Sequence, residues 1–194
     1  MRGALGGVEG DVADLGELPG RVFLDSCTLQ TLRDVGGFIW DGEPLDVARL
    51  RRIPDGEDNV RALRRIFLVN QRAMFEWMLS EASLAEAVDK RDAGHLQWAF
   101  DVLDHALICL SESGGPTQAS AERARRLDRP EFGLLSDKDR RLIRDAVLLD
   151  CDGFLTVERR LPRNSAFLER QLGLKVLTPV QHWALLEPWA ALFV

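Results

Sequence analysis

The sequence predicts an α/β protein: a three-layer α/β/α sandwich around a central parallel sheet of about four to five short strands. Three observations lead there. Short apolar runs alternate with helix-length amphipathic segments along the chain. The runs read as apolar on both faces, as strands of a parallel sheet do when helices cover each side. Two of them are followed at once by a serine able to cap a helix. With 194 residues and 46% apolar content, the chain suits a single domain over residues 21–194. Residues 1–20, rich in Gly, Asp and Glu, read as a flexible acidic tail.

The first strand is Arg21-Val-Phe-Leu-Asp25, and Ser26 opens a helix whose apolar face carries Leu29, Leu32 and Val35 before Gly36-Gly37 stops it. A basic helical piece reaches about Arg52, Pro54-Asp55-Gly56 breaks the chain, and a long helix runs from Glu57 to about Arg72. Met74–Leu79 is the second strand, and Ser80 caps a helix running through Glu86 to about Arg91. Leu96, Ala99, Phe100, Leu103, Leu107 and Leu110 recur at helical spacing, ending near Ser113-Gly114-Gly115-Pro116. A polar, arginine-rich connection extends to about Leu135. Ser136 then caps a helix over Asp137–Asp150. Gly153–Thr156 is a very short strand, Pro162–Leu172 a helix, Lys175–Thr178 the last strand, and Val180–Ala191 a final helix opened by Pro179.

The net charge of −6 argues against a protein that coats nucleic acid non-specifically, since such binding is driven by phosphate neutralisation. A carboxylate-built active site is nevertheless acidic and relies on metal ions to bring a phosphate in. Of the 25 basic residues only Lys90, Lys138 and Lys175 are lysines. The arginines form small clusters, which are solvated helix faces as often as phosphate sites. Cys27, Cys109 and Cys151 are far apart with no CxxC spacing, so neither a disulfide framework nor a zinc site is indicated. There is no signal-peptide pattern and no run of membrane-spanning length, so a soluble, cytoplasmic protein is expected.

The chemistry lies in where acids fall relative to strand ends. Asp25 closes the first strand, Glu86 lies in the helix after the second, and Glu158 follows the Gly153–Thr156 strand. Ligands of α/β sheets sit at the carboxyl ends of the strands, so these acids can face one crevice. Asp139 lies in the first turn of the helix leading to that strand, where a helix N-terminus favours a carboxylate. Four converging carboxylates repel one another unless hard divalent cations such as Mg2+ or Mn2+ offset them.

Val22-Phe-Leu-Asp-Ser-Cys-Thr-Leu29, Leu79-Ser-Glu-Ala-Ser-Leu-Ala-Glu86, Asp139-Arg-Arg-Leu-Ile-Arg-Asp-Ala146 and Asp152-Gly-Phe-Leu-Thr-Val-Glu158 resemble, in order, the successive motifs of PIN-domain nucleases. Lys175-Val-Leu-Thr-Pro179 is similar to the last strand of that fold, so the resemblance covers roughly residues 21 to 190. It implies a ribonuclease that uses one or two divalent metals, Mg2+ or Mn2+, to activate water for in-line attack on a phosphodiester. By position, Asp25, Glu86, Asp139 and Glu158 would be metal-binding or water-positioning residues, with the Thr156 hydroxyl supporting them. The implied partner is RNA, less readily DNA; an inhibitory protein of the kind found in toxin–antitoxin pairs and a second copy of the chain as a homodimer are further candidates. Two positions depart from the family: the fourth acid, usually Asp, is Glu158, and the residue two after Asp25, often Asn or Ser, is Cys27.

Among the basic neighbours, Arg140, Arg159 and Arg160 are candidates for guiding a phosphate backbone. Of Trp40, Trp77, Trp98, Trp183 and Trp189, four fall in apolar segments and read as core rather than base-stacking residues. Asp150-Cys-Asp-Gly-Phe-Leu-Thr156 also looks like the DxDGxxT loop of haloacid-dehalogenase phosphatases, but only 38 residues follow Thr156 for the remaining parts of such a site. His105 and Cys109, four apart on a helix, read as packing residues. Serine-hydrolase, P-loop and dinucleotide signatures are absent. The alternative to a nuclease is a PIN-like scaffold or RNA-binding module whose site has drifted, for which Glu158 and Cys27 are the motivating residues.

Overall fold

In the computed structural model, which describes residues 15–51, 53–73, 75–87 and 93–193, four short strands form one parallel sheet. They are β1 (Arg21–Leu24), β2 (Glu76–Met78), β3 (Gly153–Leu155) and β4 (Lys175–Leu177), in the order β2-β1-β3-β4. Phe23 lies opposite Met78 on one side and Phe154 on the other, and Phe154 lies opposite Val176. The nine described helices are α1 (Ser26–Trp40), α2 (Val47–Leu50), α3 (Gly56–Ala73), α4 (Glu81–Ala87), α5 (Ala93–Glu112), α6 (Gln118–Arg126), α7 (Asp137–Leu148), α8 (Ser165–Leu172) and α9 (Pro179–Leu186).

Because successive strand residues point to opposite faces, the sheet divides the core in two. Val22, Leu24, Trp77 and Leu155 pack with buried residues of α1, α3, α4 and α9. Phe23, Met78, Phe154 and Val176 pack with α6, α7 and α8, and the Phe23 and Phe154 rings stack at 5.3 Å. Both faces of the sheet are thus covered, which is the α/β/α arrangement expected from runs apolar on both sides. The tryptophans join this packing: Trp77 stacks on Phe67 at 4.9 Å, and Trp40 and Trp98 meet the same phenylalanine.

Several boundaries differ from the sequence reading. Gly36-Gly37 does not end α1, which kinks at Val35 and continues to Trp40. Burial of Ile39 and the Trp40–Phe67 contact outweigh the backbone entropy of two glycines. The arginine-rich connection contains α6, capped by the Thr117 hydroxyl, and a 3-10 turn at Pro130–Leu134. Its arginines tie elements together: Arg123 donates to the Leu172 carbonyl and pairs with Asp150, and Arg126 donates to the Gln171 carbonyl. The segment expected as one helix over Pro162–Leu172 is a 3-10 turn, Leu161–Asn164, followed by α8. The last helix is a capping-box α9 followed by a 3-10 turn that takes over where Pro188 removes a helical donor. Most of the expected tail and the end of the helix expected to reach Arg91 lie outside the described residues. No described helix is long and apolar enough to cross a membrane.

Candidate metal centre at the strand ends

The strand order puts β2 and β3 on opposite sides of β1, so β1 stands at the topological switch point, the place where ligands of such sheets sit beyond the carboxyl ends. Asp25 is the first residue past β1 and the N-cap of α1, where its Oδ1 accepts from the Thr28 amide at 2.6 Å. Its Oδ2 accepts from the Thr156 hydroxyl, also at 2.6 Å. The residue is only 4% exposed. Burial raises its pKa from 3.8 to about 6 although both hydrogen bonds favour the ion, and the Glu158 charge adds to the rise.

Thr156 and Glu158 follow β3, the neighbouring strand. The buried Thr156 hydroxyl donates to Asp25 and accepts from the Glu158 amide at 3.1 Å, so one side chain fixes both acids. The Cys27 thiol, in the first turn of α1, donates to Glu158 Oε1 at 2.9 Å. Burial pushes that thiol far up, and the Asp25 and Glu158 charges reinforce the effect, so it stays a neutral donor. One ligand atom each from Asp25, Cys27 and Glu158 lie within 4.8 Å of one another, and among the described residues this is the group of His, Cys, Asp and Glu side chains placed to share an ion.

Glu86, in α4, borders this group through an ion pair at 3.0 Å with Lys138 of α7. Partial burial opposes its ionisation, but the nearby Ser26 hydroxyl and the Lys138 ammonium outweigh it and hold its carboxyl below the ordinary range. Asp139 lies in the first turn of α7, accepting from the Ser136 hydroxyl at 2.7 Å while its amide donates to the same oxygen. Asp25, Thr156 and Glu158 are therefore brought together directly, Glu86 through Lys138, and Asp139 stands outside the sharing distance.

The arginines singled out in the sequence are spread. Arg159 is held by both Asp55 carboxylate oxygens, and Arg140 is half-buried and donates to the Leu135 carbonyl. Arg160 is exposed at the head of the following 3-10 turn. Asp150 and Asp152 of the phosphatase-like loop lie before β3, at the opposite end of the sheet. Asp150 pairs with Arg123, and Asp152 accepts the Gly20 and Arg21 amides. Cys109 Sγ lies 3.6 Å from His105 Nε2, and no third ligand joins them among the described residues.

Sequence reasoning treated Cys27 only as a departure and Lys138 only as one of three lysines. The available signal for Lys138 was its place beside Asp139 in the first turn of a helix.

A cation of the Mg2+ class binds through one or two carboxylates and keeps several waters. Asp25 and Glu158 bring two carboxylates of that kind within 4.8 Å of each other, and both Asp25 oxygens also accept hydrogen bonds, from the Thr28 amide and the Thr156 hydroxyl. Comparison of the chain with protein-family models, with curated proteins and with solved structures returned no match.

Proposed function

We propose that the chain is a divalent-metal-dependent nuclease, most readily an endoribonuclease, as its resemblance to PIN-domain motifs implies. The observation that carries the reading is the buried Asp25 carboxylate at the end of β1, linked through Thr156 to Glu158 at the end of β3. Asp25 and Glu158 would hold Mg2+ or Mn2+, with Glu86 bordering the site through Lys138 and Asp139 farther out on α7. The ion supplies Lewis acidity towards the phosphate and acidifies a water molecule. Thr156 fixes the separation of the two acids, the Thr28 amide orients the second Asp25 oxygen, and Cys27 orients Glu158. Acids positioned in this way need no rearrangement when charge develops on the phosphate.

The test is cleavage of single-stranded and structured RNA with Mn2+ or Mg2+, with loss of cleavage in EDTA and in Asp25→Asn and Asp139→Asn. Unchanged cleavage in both variants sinks the reading. The second reading, a PIN-like RNA-binding module without catalysis, draws on Cys27 and Lys138, which satisfy Glu158 and Glu86 from within the chain. Retention of RNA on a filter with Mn2+ present and no cleavage product selects it.

A further inference from the structure

We infer that Lys138 is a counter-cation built into the acidic crevice, which competes with a divalent ion and so sets its affinity. The inference rests on the metal-site reading above and concerns how that site is tuned.

Lys138 sits in the first turn of α7, next to Asp139. A helix N-terminus carries partial positive charge, so an ammonium there is disfavoured unless an acid compensates it. Glu86 does so at 3.0 Å, from a different helix. Glu86 is its direct partner, and Cys27 and Glu158 act on the same ammonium electrostatically, as weaker influences than Glu86. Its side chain is 49% exposed, and the flexible stem leaves it free to swing into solvent. An ion bound by Asp25 and Glu158 would therefore meet a like charge that already holds Glu86. Removing that charge strengthens binding, whereas moving it to another cationic side chain does not.

Mn2+ binding, read from the electron paramagnetic resonance signal of the free ion, tests this without reference to catalysis. Lys138→Met is expected to bind Mn2+ about tenfold more tightly than the wild type, the scale of one unit charge removed from the neighbourhood of a divalent ion. Lys138→Arg, which keeps the charge, stays within about twofold of wild type. Asp25→Asn in the Lys138→Met background abolishes the gain; a gain that persists there puts the ion elsewhere and overturns the inference. If the wild type binds Mn2+ and Lys138→Met binds it equally or more weakly, the inference fails and the metal site stands. If only Lys138→Met binds, the inference stands and the proposed metal enzyme falls. If neither binds, both fail.

Discussion

Asp25→Asn is expected to make the metal-free protein more stable at neutral pH and to abolish the Mn2+ binding proposed above. Asp25 has a folded pKa of about 6 against an ordinary value of 3.8. The folded state therefore holds its proton more tightly than the unfolded state. Stability from this group is full below about pH 3.8, falls as pH rises to about 6, and is then constant. At about 1.4 kcal/mol per pKa unit, the cost of carrying the buried charge at pH 7 is about 3 kcal/mol. Asparagine keeps a carbonyl acceptor for the Thr28 amide and an amide group facing Thr156, so most of that cost is relieved and little packing is lost. Neutral hydrogen bonds are weaker than charge-assisted ones, which brings the net gain to about 1–3 kcal/mol. For a domain of this size that is a rise of about 3–8 °C in melting temperature. Differential scanning calorimetry from pH 4 to pH 8, with and without Mn2+, measures it. The variant's advantage should vanish towards pH 4, and Mn2+ should raise the melting temperature of the wild type alone. A variant less stable than wild type at pH 7, with the same pH profile, would refute the claim that Asp25 is held at a cost for the site.

His182 gives a pH effect of the opposite sign. It is fully buried in α9 with neither ring nitrogen hydrogen-bonded, and burial lowers its pKa from 6.5 to about 4. The unfolded state takes up the proton first, so this group's stability is full above about pH 6.5 and declines by about 3 kcal/mol as pH falls to 4. His182→Leu should flatten that acid limb in urea titrations; an unchanged limb assigns acid lability to other groups. Thr156→Val should cost about 1–3 kcal/mol in urea unfolding, because Asp25 loses a buried donor and the Glu158 amide an acceptor. The same variant should also weaken Mn2+ binding in calorimetry, and an unchanged Mn2+ affinity would remove Thr156 from the site.

The sheet was legible because its apolar runs are short and most end at a helix-opening residue, although the cap after β1 is Asp25 itself rather than the Ser26 expected from the sequence, and Thr178 caps α9. The helix α6 was not legible, because its buried positions are the small Ser120 and Ala124 and its other positions are Gln, Ala and charged residues. No apolar stripe marks such a helix. It is held instead by arginines reaching the carbonyls at the end of α8, contacts between residues 45 and 49 apart in sequence. The same limit applies at the candidate site. Asp25, Thr156 and Glu158 stand out by their place after strands, a local property. That Cys27 meets Glu158 depends on two segments 131 residues apart, which only the pairing of β1 with β3 brings side by side.

The two central variants act on one quantity, the charge of the crevice, from opposite directions. Among these side chains three carboxylates, Asp25, Glu86 and Glu158, stand against the one Lys138 ammonium and a neutral Cys27 thiol, an excess of two acids over bases. Asp25→Asn reduces that excess, so the empty fold gains stability and the ion loses a ligand. Lys138→Met increases it, so the ion should gain affinity while Glu86 in the empty fold loses its ion-pair partner. Glu86 is only partly buried, so the stability lost in that second variant is small, whereas Asp25 is fully desolvated and its charge acts on stability at nearly full strength. The asymmetry separates the proposed roles: the buried Asp25 would set the strength of the site, and the exposed Lys138 would adjust it.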